Sequence, residues 1–313
     1  MNLIEILGKY KTIGENGKTH TIIPNLENKE YKFGGTYSIS DTLIKNSCSI
    51  FHKYFFEQSG KISITEKIPD ICPLYIDLDL EFDGTSKNTQ YTENTINTIV
   101  KFINKNISEN INVIKDIECY VQLKKKSKLN KEGFVIKEGI HLLYPEIIGD
   151  RQVFNEFLKI ISNKSMDELF NSFVSKPINH PSKIFDTNVT RWFIYGSSKP
   201  QGEPYKVKYR YINNEKINID KSDIELVELF YLTKKFEKNI TYNHKLSEII
   251  IKKPMEKNFS ILDEEFTTND IDIYSDEECV YKELNDELKK SKHLFIKQIV
   301  LKCFNNERCN EYE

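Results

Sequence analysis

Three short stretches of this chain hold the residues best suited to chemistry. The first is Tyr75-Ile76-Asp77-Leu78-Asp79-Leu80. Side chains alternate across a β-strand, so Asp77 and Asp79 fall on one face and Ile76, Leu78 and Leu80 on the other. Adjacent carboxylates repel and aspartate is a poor strand former, so the pair costs stability unless a cation lies between them. Hard divalent ions such as Mg²⁺ take oxygen ligands of this kind; the alternative is the polar face of a half-exposed edge strand. The second stretch is Lys137-Glu138-Gly139-Ile140-His141-Leu142-Leu143-Tyr144-Pro145. As a strand it puts Lys137, Gly139 and His141 on one face, two hydrogen-bond donors around a gap where a phosphate fits. A lone histidine on a half-apolar strand is otherwise a satisfied structural residue. The third runs from Phe185-Asp186 through Arg191-Trp192 to Tyr195-Gly196-Ser197-Ser198-Lys199-Pro200. Asp186 offers a third carboxylate. The glycine-to-proline segment is turn chemistry, read either as a plain loop or as a turn whose hydroxyls, amides and Lys199 grip phosphate. Trp192, the single tryptophan, suits a core position better than a stacking platform.

These stretches need a scaffold, and the hydrophobic pattern predicts one. Residues 41–57 read as a helix capped by Asp41, with Leu43, Ile44, Phe51, Tyr54 and Phe55 at helical spacing. A strand over 72–82 is followed by a helix over 92–110 with Ile96, Ile99, Val100, Ile103 and Ile107 on one side. Next come a strand over 117–123, a basic loop over 124–137, a strand over 140–148, a helix over 153–169, the segment 184–189, a strand over 205–211 and a helix over 223–236. The alternation predicts an α/β (α+β) domain over residues 1–255, one sheet covered by helices with an N-terminal α/β subregion. Residues 256–284 read as an acidic linker and 285–313 as a C-terminal helix.

Composition sets limits. Hydrophobic residues make up 39% of the 313 and charged residues 29%, ordinary for a globular protein with a sizeable core. No apolar run is long enough to span a bilayer and no basic leader opens the chain, so the expectation is an intracellular protein without a membrane partner. The six cysteines form no C-x-x-C pair and the six histidines are dispersed, so neither a disulfide framework nor a zinc site is expected. The net charge of −2 conceals an asymmetry: Asp263 to Glu287 carries eleven acids and one lysine, which leaves +8 on the rest. A basic body suits a polyanionic partner. Gly17-Lys18-Thr19 ends like a phosphate-binding P-loop, but position 12 is threonine where that motif needs glycine, so no motor ATPase is expected here.

Order and spacing join the three stretches. An acid-x-acid strand, a strand histidine about sixty residues on, an aspartate about forty-five further and then G-S-S-K-P together resemble the archaeo-eukaryotic primase superfamily. The closest resemblance is to the primase part of the primase-helicases of nucleocytoplasmic large DNA viruses, the group that includes the poxvirus enzyme. It covers roughly residues 70–212, and its most specific match runs from Asp186 to Pro204-Tyr205. The resemblance implies a palm like an RNA-recognition motif, with a mixed or antiparallel sheet, and a DNA primase or polymerase acting on single-stranded DNA with nucleoside triphosphates. It further implies that Asp77, Asp79 and Asp186 bind two Mg²⁺ or Mn²⁺ ions, that His141 and Lys199 contact the triphosphate, and that Lys137 and Ser198 are second-rank contacts. Many superfamily members carry serine where this chain has Gly139. Val300 to Tyr312 resembles the start of the region leading to a helicase domain, so the expectation is a piece of a longer protein working at viral replication sites in the host cytoplasm. The rival readings are a metal-dependent nuclease, a replication-initiator nuclease, which lacks here its pair of closely spaced histidines, and a non-catalytic nucleic-acid-binding module.

Overall fold

A computed structural model describes residues 3–12, 18–23, 34–39, 44–85, 88–113, 116–130, 132–164, 166–200, 202–243 and 246–247. The chain opens with α1 (Leu3–Lys9), β1 (Lys11–Thr12), β2 (His20–Ile22) and β3 (Gly35–Tyr37), followed by α2 (Ile44–His52), whose last turn widens into a π-helical turn over Lys53–Glu57. Then come β4 (Ile64–Lys67), the long β5 (Ile71–Asp83), α3 (Glu93–Asn110), β6 (Ile111–Asn112), β7 (Glu118–Leu123), β8 (Lys128–Leu129) and the long β9 (Val135–Asp150). The described chain closes with α4 (Arg151–Ser162), α5 (Asp167–Asn171), β10 (Arg191–Phe193), β11 (Lys206–Ile212), β12 (Glu215–Ile217), α6 (Asp223–Phe230) and β13 (Thr241–Tyr242).

Two main sheets result, and every described pairing is antiparallel. The larger runs β12-β11-β7-β9-β5, with β8 added to the start of β9. Its axis is the β5/β9 pair, which extends from Ile71 opposite Asp150 to Asp83 opposite Val135. Leu74, Ile76, Leu78, Leu80 and Phe82 on β5 and Ile136, Ile140 and Leu142 on β9 are buried on one face. Helices α3 and α4 bury the apolar stripes their spacing demands, Ile96, Ile99, Val100, Ile103 and Ile107 on the first and Val153, Phe154, Phe157, Leu158 and Ile161 on the second. Thr92 caps α3 in a reciprocal capping box with Thr95. The smaller sheet, β1-β3-β2-β4-β10, is the N-terminal subregion, in which the sequence defined no single strand. Its strands have two to four residues, too short for periodicity to register.

Several expected boundaries are corrected. The helix expected over 153–169 stops at Ser162 and a separate short helix begins at Asp167, because Asn163 and Lys164 turn back on the carbonyls of Ile160 and Ile161. The helix expected to reach Phe236 ends at Phe230, because the N–H groups of Leu232 and Thr233 donate instead to the buried Glu66 carboxylate. The strand expected from Ile140 begins at Val135, and the expected basic loop contains a hairpin arm. The Asp41 cap, the acidic linker and the C-terminal helix lie outside the described residues. No helix among the described residues is long and apolar enough to cross a membrane.

Candidate active site

Register brings the three chemical stretches onto one face. Asp77 pairs with His141, Asp79 with Gly139 and Glu81 with Lys137 across β5 and β9. Strand β7 adds Gln122 opposite His141, and Lys124 follows on the same alternation. The third stretch joins through the backbone: the Asp79 N–H donates to the Ile184 carbonyl at 2.8 Å and the Asp186 N–H to the Asp77 carbonyl at 3.0 Å. Phe185 bridges Leu78 between them. Asp186 thus stands beside Asp77 and Asp79, with its Oδ1 accepting from the Asn188 N–H at 2.9 Å.

Beyond Asp77 the same face is roofed. Trp192 on β10 is buried against Tyr75, with ring centroids 5.2 Å apart, and against His141 at 4.4 Å. Phe230 of α6 meets Tyr120 edge-on. The cleft opens where this roof stops, which leaves Asp79 exposed and Asp77 half-buried.

Tyr205 closes the near wall. Its ring stacks on His141 at 3.4 Å between centroids, and Lys124 Nζ lies 4.4 Å above its other side. A side chain at Gly139 would collide with the Tyr205 hydroxyl, and its Cβ would lie 3.0 Å from the ring carbon that bears it. Tyr205 therefore occupies the space beside Gly139 that a side chain there would need.

Electrostatics follow from this crowding. Burial raises the pKa of Asp77, but the adjacent His141 imidazole, with Lys124 and Lys199, outweighs it and holds the carboxyl below the ordinary range. His141 Nε2 lies 3.3 Å from Asp77 Oδ1. Oδ1 is buried, and among the described residues that imidazole is the one donor beside it. Asp79 moves the other way, up to about 7, through desolvation and then the negative charges of Asp77 and Asp186. Asp79 is open to water, so the negative charges of Asp77 and Asp186 beside it are what hold it up. Lys124 is held below its usual value by burial and by Lys199.

A buried carboxylate oxygen beside a second carboxylate reluctant to ionise is what hard cation ligands look like without their cation. Among the described residues no three such side chains are placed so that together they could hold a metal ion. Of the other candidates, Lys137 is paired with Glu81 at 3.1 Å, further along the same face. Ser198 donates within its own turn, to the Gly202 carbonyl at 2.9 Å. Its neighbour Ser197 is buried and ties the carbonyl of Ile62 and the N–H of Ile64 into the smaller sheet. Sequence reasoning left Gln122, Lys124 and Tyr205 out of the site. Alternation along β7 carries the signal for the first two, whereas nothing local marks Tyr205.

The model of the C962R protein N-terminal AEP domain, an archaeo-eukaryotic primase domain, matches residues 28–211. The chain belongs to this family. Over 221 residues, 67% of this chain, it is also 26% identical to "Putative helicase L207/L206" of Acanthamoeba polyphaga mimivirus, and the match takes in 22% of that relative's length.

Proposed function

We propose that the protein is the catalytic part of a viral primase-helicase, a primase-polymerase that starts and extends strands on single-stranded DNA at sites of viral genome replication in the host cytoplasm. The observation that carries the reading is that Asp77, Asp79 and Asp186 lie beside one another on one open sheet face, flanked by Lys124 and Lys199, in a chain of the primase family. The large sheet and its helices would serve as the palm. A helicase domain would lie in the remainder of the longer protein.

Strand extension is in-line attack of a 3′-hydroxyl on an α-phosphate with pyrophosphate leaving. Asp77, Asp79 and Asp186 would hold two Mg²⁺ or Mn²⁺ ions, which when bound lower the pKa of the attacking hydroxyl and neutralise the leaving oxygens. The remaining work is positioning and charge neutralisation by the chain itself. Lys199 and Lys124 supply positive charge on the triphosphate side. His141 aims the Asp77 carboxylate and adds a triphosphate contact. Lys137 and Ser198 stand a step further back as phosphate contacts.

The test is primer synthesis on single-stranded template with labelled ribo- and deoxynucleotides in Mg²⁺ or Mn²⁺. The parent should give template-dependent products, and Asp77→Ala/Asp79→Ala should give none. The thermal midpoint of that double variant should hold, because relief of two adjacent like charges offsets the loss of the Asp77 charge that His141, Lys124 and Lys199 stabilise. Undiminished synthesis by the double variant, or nucleotide-independent degradation of the template by the parent, would overturn the reading.

A further inference from the structure

We propose that the hairpin joining β8 to β9 is a docking arm for single-stranded DNA, with one base stacked on Phe134; the inference rests on the primase reading above. Phe134 sits at the tip of the arm and is 66% exposed, more than any other large apolar side chain among the described residues. The turn beneath it is tightly built. Asn130 Oδ1 accepts the N–H groups of Phe134 at 3.0 Å and Val135 at 3.1 Å. The Asn130 N–H donates to the Val135 carbonyl at 2.8 Å, and the Phe134 carbonyl accepts from Gly84 at 3.0 Å. Gly133 supplies the φ of +80° that lets the chain reverse. The base of the arm is fixed as well, since the Ser127 hydroxyl and the Gln90 N–H both donate to the buried Glu138 carboxylate, at 2.5 and 2.7 Å. These bonds among the described residues of the turn hold a phenyl ring that is two-thirds in water.

What such a ring fits is a nucleobase. Every base has a π-face, so stacking on an exposed aromatic binds single strands without regard to sequence, provided cations follow the phosphates. The cations are in place. Lys128 pairs with Lys137 across β8 and β9, which puts both on the face that bears Asp77, Asp79 and His141. Lys125 and Lys126 are exposed on the approach to the arm. Of the acids nearby, Glu132 is engaged by Asn130 and Glu81 by Lys137, and the exposed Asp83 opposite Val135 is outnumbered by Lys125, Lys126 and Lys128. The arm also has a length. His141 lies seven residue steps along the chain from Phe134, six intervening residues all in β9, about 23 Å at roughly 3.3 Å per step. A strand that keeps the duplex rise of about 3.4 Å per nucleotide covers that span in about seven nucleotides, and a more extended one in fewer. A strand held by Lys124 and Lys199 beside the carboxylates therefore reaches the ring within about seven nucleotides.

The experiment uses the full 313-residue chain at fixed salt, without nucleotide or metal, and oligo(dT) of about 4, 8, 12 and 20 nucleotides, a range that brackets common site sizes. Anisotropy should show the parent's affinity stepping up between the short oligomers and those that span both site and ring. Phe134→Ala should lose that step, an effect of about tenfold on the longer oligomers, with an unchanged unfolding midpoint. Phe134→Trp should keep the step, and its emission should be quenched only by oligomers long enough to reach it, against a background from the buried Trp192 alone. An identical length profile for Phe134→Ala and the parent would overturn the proposal. An unquenched Phe134→Trp would do the same and would leave the ring to a protein partner. Because no nucleotide is present, either failure leaves the primer-synthesis result standing; conversely, a parent that makes no primers yet shows the length step loses the proposed activity and keeps the arm.

Discussion

Replacing Gly139 with alanine tests how the near wall of the cleft is built. The backbone there is ordinary β9 strand, so alanine meets no conformational barrier of its own. Its methyl group, however, falls on the Tyr205 hydroxyl, and Tyr205 is held from both sides, by His141 below and Lys124 above. Relief requires the ring to leave its place. The stacked pair contributes about 0.5–1.5 kcal/mol and the lysine over the ring about 0.5–1 kcal/mol, so the variant should lose about 1–2.5 kcal/mol. Urea midpoints for the parent, Gly139→Ala, Tyr205→Ala and the double variant give the full cycle. In the Tyr205→Ala background the alanine at 139 should cost nothing, or gain up to about 1 kcal/mol through the stiffer unfolded chain. Strictly additive losses would refute the claim that Tyr205 occupies the space Gly139 leaves.

Two further outcomes follow from the site and its surroundings. His141→Ala should raise KM for nucleotide if the imidazole contacts triphosphate and lower kcat if it aims Asp77; both should move, and steady-state kinetics in which neither changes would remove His141 from the site. Glu66→Gln probes the buried pair in the smaller sheet, where His20 Nε2 lies 3.7 Å from Glu66 Oε1. Burial raises Glu66 from 4.5 to about 7, so its contribution to stability is full below pH 4.5 and is lost as pH rises through 7. Burial lowers His20 from 6.5 to about 3, so its contribution is full above pH 6.5 and fades as pH falls toward 3. Between 4.5 and 6.5 the two slopes cancel. The glutamine variant lacks only the first, so relative to the parent it should gain up to about 3 kcal/mol between pH 4.5 and 7, read from urea midpoints; a pH-independent offset would contradict this.

Much of the site was legible because strand geometry is periodic. Once β5 and β9 are strands, the shared face of Asp77 with Asp79, and of Lys137 with His141, follows from alternation alone. The amphipathic face of α3 was legible for the same reason. What stayed hidden was non-local. Nothing in the neighbourhood of Tyr205 says that it lies over Gly139, and Glu66 gives no local sign that it will end α6 by taking the N–H groups of Leu232 and Thr233. The smaller sheet was hidden because strands as short as Lys11–Thr12 carry no period, and their stability comes from neighbours distant in sequence.

The hydrogen bonds that hold Asp186 to β5 bear on how related chains should be compared. Its position depends on two backbone bonds, at Ile184 and Asp186, on the bridge at Phe185, and on the bonds of Ile178 and Asn179 to Asp79 and Glu81, and these are indifferent to how much chain lies between α4 and residue 178. Insertions or deletions there can accumulate across a lineage without moving the third carboxylate by the width of a methyl group. In distant relatives the interval before this aspartate should drift in length, while the apolar pair that precedes it, Ile184 and Phe185 here, holds its character. An alignment anchored on residue spacing will therefore lose the third acid sooner than one anchored on that pair.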